Sequence, residues 1–103
     1  MFGNNGNARC YLIFLISLSG RELTPEIIKQ HAEHLARLDR EGKLVLAGPI
    51  PERAGGLIVL RVPSLNYAKE IAEEDPMITG GFQRYELGTW IMSNRSNEFA
   101  PKL

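Results

Sequence analysis

The chain has 103 residues, twelve basic and twelve acidic, and no net charge. That length suits one domain with a single core of modest thickness. The balanced and scattered charge excludes the basic stripe that nucleic acid or an anionic membrane requires. Cys10 is the only cysteine, so no internal disulfide can form and nothing suggests a zinc site. At the start of a strand it reads as a small buried hydrophobe.

Residues 1–9, rich in Gly and Asn, read as a flexible lead-in. They carry neither the basic start nor the cleavage pattern of a signal peptide, so cytoplasmic residence is the default. Cys10–Leu18 is almost continuously apolar, as in a strand buried on both faces, and too short to span a bilayer. Thr24 can cap a helix, Pro25 suits its first position, and Glu26 favours its dipole. That helix runs to about Glu41 with Ile28, Ala32, Leu35 and Leu38 as its apolar stripe, and Gly42 is its stop.

Lys43–Ala47 is a second strand, and Gly48-Pro49-Ile50-Pro51 reads as a stiff exposed loop, since prolines disrupt a sheet. Gly56–Val62 is a third strand. Ser64 caps a second helix, about Leu65–Glu74, with Leu65, Ala68, Ile71 and Ala72 inward. Asp75-Pro76 ends it, because the residue before proline is pushed out of the helical region. Phe82–Met92 is a fourth strand, and residues 93–103 are a polar tail.

Strand, helix, strand, strand, helix, strand is the ferredoxin-like βαββαβ order, an α+β fold with a four-stranded antiparallel sheet. Right-handed crossovers place both helices on one face. Strand one has Tyr11, Ile13 and Leu15 on one side and Leu12, Phe14 and Ile16 on the other, and strand three is apolar on both sides too. Two helices cover only one face. The other is too apolar to stay wet, and packing against the same face of a second copy is the simplest solution.

Several residues have both a chemical and a bland reading. His31 and His34 sit three apart and share one helix side, and periodicity does not choose between them. Their spacing with a carboxylate matches no strong metal motif, so no metal site is expected. Asp75 before Pro76 is ordinary helix-stop chemistry. Gly48 and Pro49 read equally as a pocket wall and as a tight loop. Arg84 and Trp90 share one face of strand four, with Tyr85 opposite; Arg84 could partner a ligand carboxylate, and Trp90 reads as core or dimer interface.

Four segments carry a resemblance. They are His34-Leu35-Ala36-Arg37-Leu38, the run Glu41–Pro49, the strand from Gly56 and the pair Asp75-Pro76. In this order and spacing, residues 10–92 resemble the YCII-related (YciI-like) family of dimeric α+β barrels. The polar extension and tail fall outside the pattern, and the stretch between Pro49 and Gly56 is short for it. The resemblance implies His34 and Asp75 as an active-site pair, with His34 the general acid/base and Asp75 its orienting partner, and no cofactor. The residues themselves add Gly48, Pro49 and Arg84 as ligand-binding candidates, and the two apolar sheet faces a homodimer joined through them. One branch of the family removes chloride from a hydroxylated aromatic ring. The expected function is therefore lyase or isomerase chemistry on a small molecule. The alternative is a non-catalytic ligand-binding or interaction module of the same fold. A direct or one-water contact between His34 and Asp75, with His34 facing the pocket, is the most specific expectation.

Overall fold

The computed structural model describes residues 8–103, so most of the expected N-terminal lead-in lies outside the described residues. Strand β1 spans Arg9–Ser17, helix α1 Pro25–Arg40, and strand β2 Leu44–Ile50. After a 3-10 turn at Pro51–Arg53 come strand β3, Gly55–Leu60, and helix α2, Leu65–Glu74. A short helix α3, Pro76–Thr79, precedes strand β4, Gln83–Ile91. The tail holds one further 3-10 turn, Arg95–Asn97.

The four strands form one antiparallel sheet in the order β2-β3-β1-β4. This is the expected ferredoxin-like order, the subunit architecture of dimeric α+β barrels. Register sets the two faces. Ile13 lies beside Ile58 and Leu87, and Leu15 beside Gly56 and Tyr85, on the side that the helices cover. The core there joins Ile13, Leu15, Ile58 and Leu60 to Leu38 of α1 and to Ala68, Ile71 and Ala72 of α2. Alanines at the contact let α2 lie close to the strands.

The opposite face carries Leu12, Phe14 and Ile16 of β1 beside Gly88, Glu86 and Arg84 of β4. Among the described residues no helix covers it, and it leaves Leu46 62% and Trp90 44% exposed. A small cluster of Ala8, Cys10, Val59 and Met92 is buried at one end of this face. Burial pushes the Cys10 thiol pKa up, consistent with a packing residue rather than a nucleophile.

The local signals in the sequence act as expected at the ends of α1. The Thr24 side chain accepts from the Ile27 amide, and Gly42 adopts φ +74°, the left-handed turn that follows the helix. Among the described residues, no helix is long and apolar enough to cross a membrane.

Three expectations are corrected. First, the inward row of α1 is Ile27, His31, His34 and Leu38; of the expected stripe, Leu38 is buried and Leu35 packs against the core, but Ile28 and Ala32 are exposed. Second, Leu65 is exposed at the start of α2. Third, Gly48 and Pro49 are not loop but strand, with Pro49 opposite Gly56. β2 is an edge strand, where proline is tolerated. The Gly48 carbonyl oxygen points toward β3, since a Cβ placed on Gly56 would lie 2.9 Å from it. The peptide is trans, so the Pro49 nitrogen faces outward, where the ladder needs no donor from it.

Candidate functional site

Asp75 occupies the joint between α2 and α3. Its backbone, at φ −66° and ψ 128°, leaves the helical region as a residue before proline must. The same residue caps α3, its side chain accepting from the Met77 amide at 2.9 Å. Pro76 at the first helical position turns the chain, and α3 packs against α1. This brings a fully buried carboxylate, 0% exposed, against the inward row of α1.

The histidine it meets is His31. Nδ1 of His31 lies 2.9 Å from Oδ2 and 3.0 Å from Oδ1 of Asp75. A carboxylate only accepts, so Nδ1 carries the proton and donates it. In the neutral ring Nε2 is then the bare, basic nitrogen. The two acceptor contacts of Asp75, to a helix amide and to the ring, hold the imidazole in one tautomer.

His34, one turn further along α1, is only 7% exposed and lies behind this pair. Its Nδ1 lies 3.3 Å from Nη2 of Arg37, a donor, which leaves the proton on Nε2. That Nε2 is buried and has no hydrogen-bond partner among the described residues. Burial lowers the His34 pKa below its ordinary value, and the charge of Asp75 opposes the shift. The expectation that His34 faces the pocket is therefore corrected: the cleft position, and the direct contact with Asp75, fall to His31.

His31 opens onto a cleft of about 470 Å³ between α1 and the β2–β3 side of the sheet. Ile28 and Leu35 of α1 form one wall, and Ala47, Gly48 and Pro49 of β2 form another. Gly56 and Ile58 lie on the floor, and Met77 and Gln83 at the end. Gly48 and Pro49 thus line the cleft. Gly56 keeps the floor bare, since a side chain there would press on the backbone of β2. The only polar side chains among the lining residues are His31 and Gln83. The volume falls within the range that small-molecule ligands occupy.

Arg84 is elsewhere. It lies opposite Ile16 on the uncovered sheet face, ion-paired to Glu86 at 2.8 Å, in a separate depression shared with Phe14, Ile50 and Arg53. The strand parity that pairs it with Trp90 also turns it away from the histidine cleft, so it cannot serve a ligand bound there. Among the described residues no three His, Cys, Asp or Glu side chains gather as a metal ion would require.

Gln83 was missed from the sequence. The available signal was its parity: with Tyr85 and Leu87 it points to the helix side of β4, where an amide is out of place.

Comparison with known proteins agrees with this architecture. The curated protein YjpA of Bacillus subtilis (strain 168), uncharacterised, is 29% identical over 80 residues, covering 78% of this chain and 94% of its own. Among solved structures, the fold is similar to 5-chloro-2-hydroxyhydroquinone dehydrochlorinase (TftG) from Burkholderia phenoliruptrix AC1100, in complex with 2,5-dihydroxybenzoquinone. The TM-score is 0.58 at 20% identity, over 79% of this chain and 92% of that one. The YCII-related domain matches residues 11–91, and the chain belongs to the YCII-related family.

Proposed function

We propose that this protein is a cofactor-independent enzyme of lyase or isomerase type that moves a proton on a small, weakly polar ring compound. The observation that carries this reading is the His31–Asp75 pair at the edge of an otherwise apolar cleft. Asp75 accepts the hydrogen bond from the Nδ1–H group, and Nε2 is the nitrogen available to a ligand. A base so placed accepts a proton from an O–H or C–H group, and Asp75 stabilises the imidazolium that forms. The proton is then returned to a second position, which is isomerisation. Alternatively it is lost while the ring expels a leaving group such as chloride, which is elimination. His31 takes the acid/base role expected of His34, and Asp75 keeps its orienting role.

The walls narrow the substrate. With no Arg or Lys among the lining residues, a phosphate or carboxylate would find no counter-charge. Chlorinated hydroxyhydroquinones, the compounds named for the structurally similar dehydrochlorinase, fit this description and are the first to test. Chloride release and quinone absorbance report turnover. The His31→Ala variant should lose about 10²- to 10⁴-fold in rate, the usual worth of a general acid or base. An alanine variant as fast as the parent overturns the mechanism. Ring binding without turnover in the parent would instead make the chain a non-catalytic ligand-binding module.

The active assembly in this reading is a homodimer. The uncovered sheet face presents Leu12, Phe14, Leu46, Leu57 and Trp90, more apolar surface than a soluble monomer leaves wet. Sedimentation at micromolar concentration should give twice the monomer mass.

A further inference from the structure

We infer that Gln83 sets the specificity of the His31 cleft, its side-chain oxygen accepting a hydrogen bond from a hydroxyl or amino group on an uncharged ring. This rests on the reading of that cleft as a ligand site.

Gln83 opens β4, opposite Ser17 of β1, and points to the helix side of the sheet. It is 6% exposed and forms part of the cleft wall. Its Nε2 donates to Ser17 Oγ at 3.3 Å. The other end of the amide, Oε1, is buried and has no hydrogen-bond partner among the described residues. A buried, unpaired amide oxygen is costly, and a methionine or leucine would fill the same space without that cost. Nothing in the packing of the fold returns it. A ligand donor would.

The consequence is a cleft with two acceptors and no charged anchor. Nε2 of His31 accepts at one end and Oε1 of Gln83 at the other, with apolar walls between. A ring with a donor on each side satisfies both. A ring lacking the donor leaves Oε1 unpaired, and sites built this way discriminate strongly against such analogues. An anionic oxygen next to Oε1 is repelled as well. Gln83 is a specificity residue here, while the proton transfer belongs to His31.

The test uses two probes of nearly equal shape, 4-methylphenol and 1,4-dimethylbenzene, titrated into the full chain. Binding is followed by amide NMR shifts, the Gln83 side-chain amide included. The parent should bind the phenol at least tenfold tighter. Gln83→Met should abolish most of that preference and bind the dimethyl ring at least as well as the parent does. His31→Phe, by contrast, should keep a preference for the phenol. If the preference persists in Gln83→Met but vanishes in His31→Phe, the inference about Gln83 is wrong and the histidine reading stands. If neither probe shifts any cleft resonance at millimolar concentration, both are overturned. Should Gln83→Met fail to fold, Ser17→Ala reads the same contact. Freeing Nε2 lets the amide turn, and the preference should drop at least threefold; an unchanged preference would count against the inference.

Discussion

Replacing Asp75 tests the site and the scaffold together. The carboxylate is fully buried and accepts from the Met77 amide at 2.9 Å and from His31 Nδ1 at 2.9 Å. In Asp75→Ala the cap of α3 is lost, a cost of about 1 kcal/mol. Also lost is a hydrogen bond to a charged group, worth about 1.5–3 kcal/mol. The His31 ring is partly exposed and can turn to water, so no further orphan penalty is added. The sum is about 2.5–4 kcal/mol. For a domain of roughly this size each kcal/mol moves the melting temperature by about 4–8 °C, so the midpoint should fall by roughly 10–30 °C. Asp75→Asn keeps one oxygen that both donors can reach but turns the other into an amide group that cannot accept, so it should cost about 1–2 kcal/mol. Urea unfolding at fixed protomer concentration measures both values. If the alanine variant lies within 1 kcal/mol of the parent, or the two variants are alike, the carboxylate does not hold the joint as described.

The remaining tests are quicker. Burial lowers the His34 pKa from its ordinary 6.5, so the unfolded chain takes up a proton that the native ring refuses. Stability should therefore fall as pH drops below about 6.5 and level off only below the folded value, and His34→Leu should flatten that slope in urea midpoints. In the neutral His31 ring, long-range nitrogen–proton spectra should show Nδ1 protonated and Nε2 bare; the opposite tautomer would contradict the contact with Asp75. Gly56→Ala places a Cβ 2.9 Å from the Gly48 oxygen, so β2 must shift; faster hydrogen exchange of β2 amides, with a loss of about 1 kcal/mol or more, is expected. Trp90→Asp or Leu46→Asp on the uncovered face should halve the sedimenting mass, and an unaltered mass would remove that face from the dimer contact.

The helices were legible in the sequence because each announced its own ends. Thr24-Pro25, Gly42, Ser64 and Asp75-Pro76 each mark a boundary by a stereochemical rule, and the structure places helix ends at all four. The alternation in β1 and β3 was equally readable. The site was harder, because its chemistry breaks the pattern by which a helix face is found. The inward row of α1 contains two histidines, so counting apolar residues finds Leu38 and Leu35 but adds Ile28 and Ala32, which are exposed, in place of Ile27 and the histidines. The choice between His31 and His34 then depends on where Asp75 lands. That position depends on α3, a helix of only four residues, whose single sequence cue is the proline after its cap. Arg84 shows the converse. Its parity with Trp90 was read correctly, but which face held the cleft is a property of the whole sheet.

The proline in β2 has a consequence for how copies of this chain can meet. A sheet can grow in two directions, sideways by adding strands at an edge or face to face by stacking. Sideways growth has no natural end and leads to fibres; stacking two like faces closes after one step. At Pro49 the outward position on the β2 edge holds a ring nitrogen without hydrogen, so an incoming strand finds a gap in the ladder where a donor should be. The residue that helps wall the cleft on one side therefore also blocks this edge to an added strand.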